Sequence, residues 1–438
     1  RSPLETATNH PDAWEGGVWR PADIARIEMI ASRALLELAA KFRPRYLRNF
    51  YELGKENLAR KPDEPQAFVI GAGQSNPETV ARLIEILMWQ GVEVFQMREE
   101  GYFAMEAAKR EDFHEMPLGS FLIFTNQPQK NNILSLFEKQ VYPNRLNANG
   151  EAEAPYDVAG WTLPLQMGVE ADAVWNIRDF DKYRPTLRRV ENINQARQIL
   201  NLEPNREPFA KISNPMKSNP RIGLYKGFAG SMDEGWTRLV FDNFQIRYQS
   251  ISDQDFRNNN LNFDAIILPA DSENTILRGL SAERYPAELT GGIGEQGAEN
   301  LKKFVERGGK LICFDDSCEL VIKRFNLPMK NVLKDLKRNE FYNPGSVVKL
   351  QVDRASPLAR GLKEETAAYF INSSAFEIAD AAKIKTVARY AERDALLSGW
   401  MLGEKFVSGK TALAETAYGQ GKIILFAFRP QHRGQTFG

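Results

Sequence analysis

The sequence predicts an α/β chain: N-terminal helices, a small parallel α/β domain, then a larger doubly wound domain with a β-rich insertion. Three observations predict it. Short apolar runs alternate with segments of helical period in two separate series. Glycine- and proline-rich turns punctuate both series. The last apolar run, Ile423–Phe428, lies between glycines and Arg429-Pro430, as a buried strand should. The expected domains cover residues 1–60, 61–202 and 221–438.

Residues 1–20 are irregular and rich in Trp, Pro and Gly. Pro21 can open a helix, and Asp23 suits its first turn. Ile24, Ile27, Ala31, Ala34, Leu35, Leu38 and Phe42 then recur at helical spacing. Pro44 kinks or ends that helix, and Tyr46–Arg60 forms a second. Their apolar stripe needs a partner surface, expected to lie partly outside this chain.

After the polar stretch Lys61–Pro65 the period changes. Ala67–Ile70 reads as a strand, Pro77–Gln90 as a helix, and Val92–Gln96 and Phe121–Thr125 as strands. The loop Gly71–Asn76 precedes a helix but lacks GxGxxG spacing and a Walker lysine, so it reads as a plain turn. Residues 126–220 read as irregular with short helices. Tyr156–Trp161 is expected to pack around Trp161, and Glu203–Asn219 reads as an interdomain linker.

The second series starts at Arg221. Strands are expected at Arg221–Tyr225, Ile246–Ser250, Ala265–Pro269 and Lys310–Asp315, with helices at Asp233–Phe244, Glu295–Arg307 and Cys318–Phe325. Gly308-Gly309 closes the middle helix. Asn343–Glu415 adds at least three strands before the closing one. No internal repeat or low-complexity tract is visible.

Composition excludes some functions. Lys+Arg and Asp+Glu both count 57, so no net charge draws the chain to nucleic acid or a membrane surface. No run approaches the ~18 uncharged apolar residues of a membrane span. The N-terminus lacks a signal-peptide core and an initiator Met, so the chain is expected to be processed or cut. Cys313 and Cys318 make neither a disulfide framework nor a zinc cluster. His10, His114 and His432 stand on distant segments, without HxxE or HExxH, so no zinc site is expected here.

In α/β sheets, reactive side chains gather just past the carboxyl ends of the strands. The strand-to-helix turn at Asp315, Asp316, Ser317 and Cys318 is where a nucleophile elbow would sit, although the glycines of G-x-S-x-G are absent. His432 is the histidine expected near this edge, so Ser317 or Cys318 with His432 is one candidate catalytic pair. Helix capping by Asp315, Asp316 or Ser317 is the competing reading. The same edge should collect Asp233, Glu234, Asp315, Asp316 and Arg429 as a polar crevice. That crevice is either a structural ion-pair cluster or a ligand site or degenerate active site, with Arg429 expected to hold an anionic ligand.

Several blocks resemble the region downstream of the catalytic domain in bacterial zinc carboxypeptidase-like proteins. They include NHPDAWEGGVWRPADI, LLELAAKFRPRYLRNFYELG, PYDVAGWTLPLQMGV, SMDEGWTRLVFDNF, FYNPGSVVKL and LFAFRPQHRGQ. The resemblance spans nearly the whole chain. It implies that residues 1–60 end or follow a carboxypeptidase fold, and that zinc belongs to an upstream domain. It also implies a periplasmic or secreted location. Residues 221–438 resemble the class I glutamine amidotransferase-like (flavodoxin-like) fold. Active members close with Phe-His-Pro-Glu, whereas this chain has Phe428-Arg-Pro-Gln431, and Asp315 aligns with the nucleophilic Cys. Arg cannot act as a base near neutral pH. The implied reading is a catalytically silent accessory portion of a metallocarboxypeptidase-family protein. Its expected partners are the upstream carboxypeptidase domain, a second copy, or a small ligand such as a sugar or peptide end. The alternatives are an independent hydrolase and a small-ligand-binding module.

Overall fold

A computed structural model describes the chain apart from residues 1–5, 7, 9–10, 12–15, 144, 149, 206, 208, 213–215, 217, 229 and 437–438. His10 lies outside the described residues. The chain divides into two compact units, Arg1–Ala59 and Arg60–Gly438.

The first unit holds α1 (Pro21–Lys41) and α2 (Arg43–Leu58). Asp23 accepts a bond from the Arg20 amide at 3.1 Å, which satisfies one of the free donors at the start of α1. The chain breaks at Phe42. Pro44 falls in the first turn of α2, where its missing N–H costs nothing. The stripe read from the sequence is exposed: no residue of either helix is buried, and Ile27, Leu35 and Leu38 are 50%, 68% and 47% exposed.

The second unit is mixed α/β with several sheets. Its first sheet uses β1 (Ala67–Ile70), β2 (Phe95–Gln96), β5 (Phe121–Phe124), β6 (Ala171–Val174) and β8 (Arg188–Arg189), in the order β6-β1-β5-β2-β8. Every pairing is antiparallel, which corrects the expected parallel layer. The strand-helix-strand rhythm itself is present. β1 and β2, joined through α3 (Pro77–Trp89), run the same way, but β5 returns between them antiparallel to both. The excursion that turns the chain back carries β3 (Gly101–Ala104) and β4 (Phe113–Met116); β3 pairs with both β4 and β7 (Asn176–Ile177) in a second small sheet.

Both faces of β1 are buried. Phe68 and Ile70 join the α3 side, with Leu83 and Leu87, while Ala67 and Val69 join Phe103 and Ile177 on the other. Short helices α4 (Lys130–Phe137), α5 (Leu163–Gln166), α6 (Phe180–Tyr183) and α7 (Ile193–Ile199) complete this half. Part of the expected linker 203–219 is packed rather than free: the Phe209 amide donates to Glu85 at 2.8 Å and Arg82 to the Ala210 carbonyl at 2.8 Å.

The large sheet begins with β9 (Ile222–Tyr225), β10 (Gln249–Ile251), β11 (Ala265–Leu268), β12 (Lys310–Phe314) and β20 (Gly421–Phe426). These run parallel in the order β10-β9-β11-β12-β20, so the strand order reverses beside β9. The crossovers carry α8 (Met232–Asn243), α9 (Asp253–Arg257), α10 (Glu273–Arg278), α11 (Gly294–Glu306) and α12 (Ser317–Arg324). Between α12 and β20 lie β13 (Met329–Asn331), β14 (Ser346–Val352), β15 (Glu365–Phe370), β16 (Phe376–Ile378), β17 (Ile384–Tyr390), β18 (Leu396–Ser398) and β19 (Thr411–Tyr418). They extend the same sheet antiparallel from β20. One core runs through both parts, from Leu268 and Cys313 to Phe370 and Tyr390. The closing strand stops at Phe426, earlier than read, because the Ala427 amide turns to the Ala412 carbonyl at 2.8 Å.

The two halves of this unit meet at a polar seam. The Gln140 amide donates to Ser398 Oγ at 2.9 Å, and the Gly399 amide to the Gln140 carbonyl at 2.8 Å. The Ala159 and Gly160 amides both reach the Gly345 carbonyl, at 2.8 and 2.9 Å. In the Tyr156–Trp161 segment the position that packs is therefore Gly160, whose Cβ would lie 2.4 Å from the Ser398 carbonyl oxygen. Trp161 is 40% exposed. Backbone cannot yield to such a clash cheaply, so Gly160→Ala should lose about 1–3 kcal/mol of stability in urea unfolding. Gly235→Ala, inside α8 with nothing within 4 Å of the new methyl, should instead gain about 0.5–1 kcal/mol.

Candidate functional site

Each parallel strand delivers a polar residue to the carboxyl edge of the sheet. β9 leads to Ser231, whose Oγ caps α8 at the Glu234 amide (3.3 Å) and so sets Asp233 in its first turn. β10 is followed by Asp253, β11 by Asp271, β12 by Asp315 and Asp316, and β20 by Arg429 and Gln431.

The turn after β12 has an elbow's backbone. Asp315 sits at φ +51°, a left-handed conformation that is uncommon for a residue other than glycine. Ser317 holds it there. Its Oγ accepts from the Phe314 amide at 3.0 Å, with the Leu268 and Phe314 carbonyls at 3.1 and 2.8 Å as acceptors for its proton. The Asp315 amide donates across to the Phe426 carbonyl at 2.7 Å.

Arg429 lies over this turn and is paired through Nε and Nη1. Nη1 donates to Asp315 Oδ2 at 2.6 Å and to the Ile371 carbonyl at 2.8 Å, and Nε to Asp233 Oδ2 at 3.1 Å. Ser373, past the end of β15, donates to the same Asp315 oxygen at 2.9 Å. Asp315 is fully buried, and its other oxygen, Oδ1, has no hydrogen-bond partner. Burial pushes the Asp315 carboxyl upward, against the pull of Arg429. Gln431 does not touch the elbow; its amide reaches Thr237 Oγ1 at 3.2 Å on α8.

The structure thus brings Asp233, Asp315, Asp316 and Arg429 together, as the sequence implied. Glu234 is placed elsewhere: it is buried and ion-paired with Arg238 at 3.0 Å, one turn along α8. Arg429, expected to hold an anionic ligand, spends three of its donors on two aspartates and a backbone carbonyl.

The hydrolase parts are not assembled. Ser317 is fully buried and bonded to backbone. The Cys318 thiol is fully buried, bonded to the Phe426 carbonyl at 3.3 Å, and pushed well above its usual pKa by burial. His432 is stacked on Tyr369 with ring centroids 3.9 Å apart. Burial, with Arg433 and Arg429 nearby, pushes its pKa down to about 3. Among the described residues no hydrogen bond joins His432 to Ser317 or Cys318. Nor does any grouping of three His, Cys, Asp or Glu residues there suit a metal ion, and no helix is long and apolar enough to cross a membrane. The Gly71–Asn76 turn is tied down by the Ala72 amide on Ser120 Oγ at 2.9 Å.

An open-sided cavity of about 460 Å³ adjoins the ion cluster, between α12 and the β-rich insertion. Asp316 and Ser373 belong to its wall, with Asn274, Asn343 and Tyr342.

No family model matches the chain, and no curated protein matches it. Solved structures similar to it include the cytoplasmic protein STM1381 from Salmonella typhimurium LT2, at 13% identity over 50% of this chain and 96% of that one, with a TM-score of 0.32. A Thermoplasma acidophilum protein described as part of a GMP synthase matches at 8% identity, over 50% and 91%, with a TM-score of 0.32. A ThuA-like protein from Bacteroides uniformis matches at 10% identity, over 52% and 85%, with a TM-score of 0.30. At these scores the likeness carries no argument about chemistry.

Sequence reasoning missed Asp271, Asp253 and Ser373. The first two follow β11 and β10 at the same edge, so the rule that found Arg429 would have found them. Ser373 comes from the insertion and has no local signal. Tyr225 donates to Asp253 Oδ1 at 2.7 Å, and Oδ2 of that buried carboxyl is unpartnered. The half-buried Asp271 carboxyl is pushed up to about 6 by burial and by the charges of Asp233 and Asp316.

This geometry has measurable consequences. Arg429→Ala leaves Asp315 buried without its cation and should cost about 3–5 kcal/mol in urea unfolding; Asp315→Asn in the same chain should recover part of the loss. Asp271 binds its proton more tightly folded than unfolded, so its ionisation destabilises the fold as pH rises from about 4 to about 6. Asp271→Asn should therefore raise the melting temperature above pH 6 and have little effect near pH 4.

Proposed function

We propose that this chain is a non-catalytic accessory portion of a zinc carboxypeptidase-like protein, whose parent reaction is peptide hydrolysis at a chain terminus. In this reading residues 221–438 are a retired glutamine amidotransferase-like, flavodoxin-like domain. One observation carries the silent part of the reading: Asp315 stands at the elbow, fully buried and bound to Arg429 at 2.6 Å. A nucleophile must be exposed to substrate and supplied with a base. Here the elbow residue has neither, and the side chains beside it are spent on backbone bonds.

The strand order, equivalent to 2-1-3-4-5 in chain order, supports the flavodoxin-like winding. The carboxypeptidase link rests on the sequence blocks. Zinc would then belong to the parent domain, and the location would be periplasmic or secreted. The uncovered apolar stripe of α1 and α2 is the surface that such a parent domain would pack against.

The purified chain should show no amidase, esterase or glutaminase turnover that responds to Cys318→Ala or His432→Ala, and no stoichiometric zinc by metal analysis. Turnover abolished by either substitution, in a variant that still melts cooperatively, would reject the reading.

A further inference from the structure

We propose that the aromatic cleft at the seam between the two halves of the second unit binds a neutral oligosaccharide. The cleft measures about 770 Å³ and shares no lining residue with the cavity beside the elbow. Gln140 builds it. Its Oε1 accepts from the Trp161 amide at 2.9 Å and from Ser398 Oγ at 2.7 Å, so one buried side chain fixes the backbone on both sides of the seam. The Gly399 amide reaches the Gln140 carbonyl at 2.8 Å, which sets Trp400 in the wall. The Glu153 amide donates to the Arg145 carbonyl at 2.8 Å and closes another stretch of wall as a short hairpin.

The chemistry of the wall decides the class of ligand. Tyr142, Tyr156, Trp161 and Trp400 all line the cleft, and Tyr156 is fully exposed. Val141 and Leu146 on the same loop are exposed too; apolar groups clustered in this way mark a binding surface where scattered ones would not. The Trp161 indole N–H donates to the Ser135 carbonyl at 2.9 Å, so the ring is pinned and offers a face rather than a donor. Aromatic faces carry partial negative charge and attract the partly positive C–H face of a sugar ring. The cleft also holds Glu138, Glu153, Lys139 and Arg145, two of each sign and none in an ion pair among the described residues. Sugar hydroxyls can donate to the first pair and accept from the second. The balance of charge disfavours single-stranded nucleic acid, which stacks on such rings but needs a basic groove. A purely apolar ligand would strip water from the charged groups without replacing its hydrogen bonds. A proline-rich strand also docks on aromatic grooves, but its carbonyls need donors, and the indole N–H is already bonded.

Binding at this cleft does not rest on the silence of the elbow. Calorimetry and tryptophan fluorescence on the full chain can test it with cellohexaose, maltohexaose, laminarihexaose and xylohexaose. At least one should bind and shift the tryptophan emission, roughly tenfold tighter than its own monosaccharide, because the cleft presents more than one ring. Tyr156→Ala removes a fully exposed side chain and should weaken that binding roughly threefold or more. Trp161→Ala should weaken it roughly tenfold, with melting curves confirming that the variant is folded. Trp161→Phe should recover part of the loss, since it keeps a ring face. No binding by any of the four hexasaccharides, or affinity unchanged in both alanine variants, would overturn the proposal. So would a decaproline peptide or single-stranded DNA that binds more tightly than every hexasaccharide.

Discussion

The buried contact between Arg429 and Asp315 ties together pieces that share no local sequence. Arg429 leaves the end of β20, Asp315 the end of β12, Asp233 the start of α8, and Ile371 the edge of the insertion. Taking these charges out of water is costly, and only mutual pairing with further hydrogen bonds makes it tolerable. The surroundings supply those bonds. Ser373 donates to Asp315, and Ser317 fixes the backbone that presents the carboxylate. The guanidinium therefore acts as a structural bolt across the edge where an α/β sheet would ordinarily keep its reactive groups free.

The elbow-like turn is held by bonds that involve no substrate or base. The bonds that hold Asp315 at positive φ come from Ser317 and from the Phe426 carbonyl, not from a substrate or a base. They are also the bonds by which α12 docks on β11 and β20. The turn is a packing solution first.

Much of the large domain was legible because its signals are local. Apolar runs bounded on one side by glycine or proline marked β9, β11 and β12 closely, and the helix read at Asp233–Phe244 matches α8 to within one residue at each end. Strand direction in the small sheet was not legible. It depends on where the chain goes between Gln96 and Phe121, and the β3–β4 excursion that reverses it carries no signal of its own direction. The site divides in the same way. Asp233, Asp315, Asp316 and Arg429 could be gathered from strand ends alone. How the cluster is completed could not, because Ile371, which accepts from Arg429, and Ser373, which donates to Asp315, are brought there by the insertion.

The insertion completes this pairing. It supplies a carbonyl to Arg429 and a hydroxyl to Asp315, so each buried charged group gains a hydrogen bond from a segment far from it in sequence. Such added bonds are what make a buried ion pair tolerable, so the carboxyl edge of the parallel strands depends on the insertion as well as on its own turns.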